Sequence, residues 1–456
     1  VRSATKASAK STIGKAAAAK AKAAKAANEK ARARNAQRQQ ARAEAARLSA
    51  LPASDTRQHQ ARELVASGLS DTQVAVLRRR GFTIQESEQL SSGKRVVRLG
   101  VPRGLALEKA RQQVDALGTG ISADLNHYYR PALHAEHEAA KPCSGALCGA
   151  ADMVGWDKAG YSCGPSPRVG IIDTALDLDA KDLAGRRIEV LQPAGQKRGS
   201  SPGHGTTIAS LLGTLLPDAR LIAIDGFTAG EDGQDRTDAI SLAKAIDRLA
   251  SHGVDVINLS LSGPPNRLVQ EAVTSAVERG VIIVAAAGND GAKAPPSYPA
   301  AYADVLAVTA VDAEKNLYRR ASTGDYIDLA APGVGIFDET KAEGPSQGTS
   351  LATPFVAAAA AVLKASNPGT TPRNAGARLK AGAFDLGPVG YDEFYGWGLV
   401  QTAGLCADPG LIASQGAPSS SASAGKLPAL EGPATLEQAG VASATAAEVS
   451  PAAGQK

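Results

Sequence analysis

The sequence predicts an α/β protein whose main part is a parallel sheet with helices on both faces, preceded by a small α+β module. Two observations predict it. Beyond residue 150, short aliphatic runs alternate with helical patterns: RVGIIDT, RLIAIDGF, AISLAKAIDRLASHG, DVINLSLSG, RLVQEAVTSAVERG, VIIVAAAGN, DVLAVTAVD and YIDLAAPG. Strands nearly continuous in Val, Ile and Leu have no polar face, so both faces must be covered, and the intervening helices supply the crossovers of a parallel sheet. Upstream, RELVASG, SDTQVAVLRRRG, TIQESEQL, KRVVRLGVP, ALEKARQQVDALG and SADLNHYYRP read strand, helix, strand, strand, helix, strand. That is the βαββαβ plan of a ferredoxin-like module.

The flanks differ in texture. Residues 1–60 form a basic Ala/Lys/Arg-rich tail, 61–131 the small module, 132–149 a connector, 150–406 the main domain and 407–456 a Ser/Ala/Gly/Pro-rich tail expected to be disordered. The first 47 residues hold 13 Lys and Arg against 2 Glu, which leaves 37 basic and 43 acidic residues for the rest. The net charge of +5 therefore belongs to the tail. Such a tail could meet nucleic acid or another acidic surface by charge alone, but that explains only residues 1–47, and nucleic acid is not favoured as a partner. No apolar run reaches the length of a bilayer span, so no membrane crossing is expected. The chain begins at Val1 and its one methionine is Met153, which reads as loss of an N-terminal segment such as a signal peptide. Cys143, Cys148, Cys163 and Cys406 make an even set; two disulfides would suit an exported protein, four thiols a cytosolic one.

In parallel α/β sheets, function gathers at the carboxyl ends of strands. Asp173 ends RVGIIDT, and Asn289 ends VIIVAAAGN beside Gly288. His204 lies in SPGHGTTIASLLG, where a loop runs into an apolar helix. Ser350 stands in QGTSLATPFVAAAAAVLKA, at or just before a helix expected from Pro354 to Ala365, where free N–H groups favour negative charge. Each residue has a plainer reading. Asp173 could be a cap, His204 a structural histidine, Asn289 a turn residue, and Ser350 or Thr349 an N-cap. Taken together they supply acyl transfer: Ser350 to attack, His204 as general base, Asp173 to hold the imidazole, and the Asn289 amide with the Ser350 N–H for the oxyanion.

VGIIDT, GHGT, AAAGN and GTSLATP, in this order, make the chain resemble the subtilisin-like serine proteases, the subtilases, over roughly residues 150–405. The resemblance implies a subtilisin-like fold and an endopeptidase with Asp173, His204 and Ser350 as triad and Asn289 as oxyanion donor. It implies that NLSLSG pairs with a peptide substrate and, with AAAGN, walls a pocket, so that Ser260, Leu261, Ser262, Gly263, Ala287 and Gly288 meet substrate. Small residues there lead to an expected preference for Leu, Phe, Tyr or Met before the cut. The small module then resembles an inhibitory propeptide, an intramolecular inhibitor whose last strand leads into the cleft. Pro131 argues against a cut after Arg130, so processing is expected between Pro131 and Cys148. The implied partner is a protein or peptide substrate, the implied state a monomeric zymogen, and the implied location secreted or periplasmic.

The chain departs from the family pattern at Thr207, where a second His is common, at Ala175 in DTALD, and at Leu351 to Phe355, where Met-Ala-Ala-Pro-His is common. No triad group is lost. Calcium is frequent in the family, but EDGQDRTD (231–238) reads as a solvated acidic loop, and no cofactor or metal is expected. HAEHE (134–138), near His127, reads as a solvated linker. A noncatalytic subtilase-fold scaffold, its cleft blocked by the N-terminal module, is the alternative.

Overall fold

A computed structural model describes residues 58–132, 149–156, 164–191, 199–230, 233–336 and 346–406. The upstream module comprises β1 (His59–Ser67), α1 (Asp71–Arg79), β2 (Thr83–Gln89), β3 (Arg95–Gly100), α2 (Leu107–Asp115) and β4 (Ser122–Pro131), in the sheet order β2-β3-β1-β4. The SDTQ sequence starts α1 as a capping box. Gln73 N–H donates to the Ser70 hydroxyl, and Ser70 N–H donates to the Gln73 side chain. Alternation along β1 and β3 sends Leu64, Ala66, Val97 and Leu99 to one face, under α1 and α2, and Val65 and Val96 to the other. A second core receives the latter pair.

The main sheet has the order β14-β13-β12-β10-β5-β7-β6 and is parallel throughout. Its strands are β5 (Arg168–Asp173), β6 (Arg187–Leu191), β7 (Arg220–Asp225), β10 (Val256–Leu259), β12 (Ile282–Ala286), β13 (Val305–Val311) and β14 (Leu329–Pro332); β8 (Thr228–Ala229), β9 (Asp235–Asp238) and β11 (Leu261–Ser262) lie outside it. One face carries α3 (Gly203–Leu215) and α6 (Thr349–Ser366). The other carries α4 (Ala239–Ser251) and α5 (Arg267–Glu278), whose core takes in Val65, Val96 and Tyr129 from the module. The helix α6 is buried from Thr349 to Leu363, as an all-apolar helix must be. Contrary to the expectation that no apolar run reaches bilayer length, α6 is long and apolar enough to cross a bilayer, but 83% of it is buried in the protein core.

Three expectations change. DVINLSLSG is not one strand: it breaks at Ser260, so that β10 stays in the main sheet while β11 pairs with β4. Asp235–Asp238, the second half of the acidic stretch, is strand rather than solvated loop; β9 pairs antiparallel with β4. The helix expected from Pro354 begins five residues earlier, at Thr349.

Candidate catalytic site

Because α6 begins at Thr349, Ser350 lies in its first turn and Pro354 lies inside it. A proline leaves the carbonyl four residues back without its helical donor. That carbonyl belongs to Ser350. It is satisfied from outside: the Ser260 hydroxyl donates to Ser350 O at 2.9 Å, and the Asn258 amide donates to the Ser260 hydroxyl at 2.9 Å. The break in DVINLSLSG thus places a hydroxyl where proline removed an N–H. The Ser350 hydroxyl itself donates to the Ser260 carbonyl at 3.1 Å.

The carboxyl end of β5 and the first turn of α3 bring Asp173 and His204 together. His204 Nδ1 lies 2.5 Å from Asp173 Oδ1, with both side chains buried. Asp173 Oδ1 also accepts from Thr174 N–H at 2.7 Å. The carboxylate therefore fixes the ring and its tautomer, leaving Nε2 as the other nitrogen; that atom is buried with no hydrogen-bond partner among the described residues. Gly205 permits this approach, since a Cβ would stand 2.2 Å from the Thr174 carbonyl.

Asn289 lies just past the end of β12. Its Oδ1 accepts from Thr349 N–H at 3.1 Å and from the Thr349 hydroxyl at 2.9 Å, which aims the Nδ2 donor the other way. Nδ2 donates to the carbonyl of Ala132 at 2.5 Å, and Ser350 N–H donates to the same oxygen at 3.2 Å. A single peptide carbonyl thus receives both donors expected for an oxyanion.

That carbonyl arrives on the strand that closes the upstream module. Tyr128 and Tyr129 of β4 pair with Asp238 and Thr237 of β9 on one side, and Arg130 and Pro131 pair with Ser262 and Leu261 of β11 on the other. Ala132 N–H donates to the Ser260 carbonyl at 3.1 Å. Tyr129 is wholly buried, its hydroxyl donating to Pro264 O at 3.0 Å, and burial holds the phenol well above its ordinary pKa. Gly263 has to be glycine here, since a Cβ would meet the Tyr129 ring at 2.6 Å. Arg236 stands over the Tyr128 ring at 4.7 Å.

A buried charge cluster joins the module to β9. Arg98 of β3 pairs with Asp238 at 2.5 Å, Glu86 at 3.1 Å and Glu63 at 3.3 Å, and the Asn126 amide donates to Glu63 and Asp238. Asp238 also caps α4 by accepting from Ser241 N–H. Burial would raise the Asp238 pKa, yet the charge and hydrogen bond of Arg98 and the Ser241 N–H hold it below the ordinary carboxylate value.

The structure therefore brings together Asp173 with His204, and Ser350 with Asn289, Ser260, Leu261 and Ser262. Gly263 borders the same strand. It does not bring Ala287 or Gly288 into pairing with β4. Ala287 N–H donates to Val308 O and its carbonyl accepts from Tyr326, while Gly288 N–H donates to Thr349 and its carbonyl accepts from Ser322. Asn258 and Ala132 were not expected at the site from the sequence, and Thr349 was expected only as an N-cap, not as the partner that holds Asn289. Ala132 was legible only as the first residue of the connector, after a proline that forbids the bond before it.

Among the described residues no group of His, Cys, Asp and Glu could hold a metal. HAEHE lies outside them, while His127 is on β4, its Nδ1 facing the Asn266 amide at 2.9 Å. Cys406 is disulfide-bonded.

The chain is similar to known proteins in sequence and in fold. The Subtilase family model matches residues 164–398, just over half the chain. Subtilisin BL of Lederbergia lenta is 35% identical over 251 residues, 52% of this chain and 89% of its own. The Minor extracellular protease Epr of Bacillus subtilis is 32% identical over 273 residues, 57% of this chain but 41% of its own, so the chain spans less than half of Epr. Fervidolysin from Fervidobacterium pennivorans, a keratinolytic enzyme related to subtilisin, shares the fold, with a TM-score of 0.64 at 22% identity over 78% of this chain and 62% of that one.

Proposed function

From a chain that belongs to the Subtilase family of serine proteases, we propose a serine endopeptidase made as a self-inhibited, exported zymogen that acts on protein or peptide substrates as a monomer. The observation that carries this reading is the Ala132 carbonyl, which accepts from both Asn289 Nδ2 and Ser350 N–H. Ser350 Oγ turns from the Ser260 carbonyl to attack such a carbon, and His204 Nε2 takes its proton while Asp173 stabilises the resulting cation. The oxygen, now carrying full negative charge, strengthens both hydrogen bonds. The leaving amine takes the proton from His204, and water then repeats the sequence on the acyl-enzyme. No metal or cofactor has a part in this scheme.

Applied to the chain itself, the scheme cuts Ala132–Leu133, within the connector. Purified protein is expected to yield a fragment ending at Ala132 and a larger chain whose N-terminal sequence starts LHAEHEAA. Intact-mass measurement and N-terminal sequencing check it, and a first cut at any other bond defeats this assignment. A blocked, noncatalytic family member would also have an occupied cleft; it would remain one chain and take up no fluorophosphonate.

After the cut, β4 is held by strand pairing and by the Arg98 cluster. A carboxylate whose bound pKa is depressed stabilises the bound state fully above its ordinary value and loses that contribution as pH falls through the depressed one. For Asp238 the ordinary value is 3.8. The severed module is therefore expected to elute with the enzyme at pH 6 and to separate progressively below about pH 4. Size-exclusion chromatography at both pH values reads this, and equal retention at pH 3 and 6 would remove the cluster from the account.

A further inference from the structure

Five of the chain's 17 aromatic residues fall between Phe384 and Trp397, where the chain runs along the outer strand β14, bridged to it through Ala330 and Leu399. Phe394 and Tyr395 turn inward. Phe384, Tyr391 and Trp397 do not: they are 52%, 39% and 45% exposed, next to Val389 at 60%. Tyr391 and Trp397 form a tilted pair with centroids 5.8 Å apart. Exposed carboxylates of Asp325, Asp385 and Glu393 accompany the rings. Partial burial first, and then the charges of Asp325, Asp328, Asp392 and Glu393, hold the Tyr391 phenol above its ordinary value. One ring already takes a cation, with the Lys315 ammonium 4.5 Å above Phe384.

We propose that this aromatic and acidic surface is a docking site for the chain's own basic segment, residues 1–47. The segment has 13 Lys and Arg, 2 Glu and no aromatic residue, so it has cations to stack on ring faces and pair with carboxylates, and no apolar face to bury elsewhere. Reach is no obstacle: at about 3.3 Å per extended residue, residues 1–57 can pass right around a domain. The other terminal segment, 407–456, is unsuited, with 4 acidic against 2 basic residues and no aromatic ring.

Intrinsic fluorescence tests the docking. The chain has two tryptophans. Trp156 is buried, its indole N–H donating to Leu215 O, so quenching by acrylamide reads Trp397. The full-length Ser350→Ala chain, which keeps the tail attached, is expected to be shielded at low salt and quenched about twofold more readily at 0.5 M NaCl, where charge contacts are screened. Two variants of that chain, one with every Lys and Arg of residues 1–47 changed to Gln and one carrying Asp385→Asn with Glu393→Gln, are expected to quench readily at both salt concentrations. Adding a synthetic peptide of residues 1–47 should restore shielding to the first variant and not to the second. Equal quenching of parent and tail variant at low salt, or shielding that persists in the tail variant because a second copy or another segment covers the rings, overturns the proposal.

Discussion

A Ser350→Ala chain is expected to lose peptidase activity by about 10⁶-fold in kcat, a size measured for such a serine in subtilisin rather than calculated from this geometry, and to stay uncut at Ala132–Leu133. The reasoning is local. Ser350 sits in the first turn of α6, and alanine keeps both the helix and the N–H that donates to Ala132 O. Only the hydroxyl is lost, and with it the bond to the Ser260 carbonyl. Fold and oxyanion donors therefore persist while the nucleophile is gone. Fluorophosphonate labelling, peptide turnover and intact mass read the result together. A variant cut as fast as the parent would assign processing to another protease, and a variant that still turns over peptide would remove Ser350 from the mechanism.

Asn289→Ala is expected to lower kcat by about 10² to 10³, again the size found for such a donor in a subtilisin, with little change in KM. The Asn289 carboxamide is held at Oδ1 by both donors of Thr349, so Nδ2 is a fixed donor that need not reorganise as charge develops. A fixed donor gains most when the carbonyl oxygen becomes an anion, which is a transition-state effect and appears in kcat. Steady-state kinetics on a variant with native circular dichroism reads it. Unchanged kcat would leave the Ser350 N–H as the acting donor and remove Asn289.

The sequence carried the strands of the main sheet and the order of the module, because unbroken Val/Ile/Leu runs and strict alternation are local patterns. It carried the positions of Asp173, His204, Asn289 and Ser350 at or near a strand end or helix start, which is where the structure has them. It did not carry what depends on partners distant in the chain. Whether DVINLSLSG is one strand or two is decided by β4, a neighbour more than a hundred residues upstream. Where α6 begins is decided by Ser260, which supplies the donor that Pro354 lacks and so lets the proline sit inside the helix. Asp238 looked like part of a solvated loop because its buried cation, Arg98, lies 140 residues away.

The covalent continuity of β4 with the connector that follows it has a consequence for mass action. Under the proposed zymogen scheme, the Tyr129–Ala132 segment of the whole chain acts as a tethered ligand whose effective concentration for a short link is of the order of millimolar, far above what a dilute outside substrate can match. Severing Ala132–Leu133 leaves the strand pairing of β4 in place, yet it turns a concentration-independent equilibrium into a bimolecular one. From then on, under that scheme, dilution alone would loosen the module. The same molecule would stay silent where it is made and crowded, and become active as it disperses.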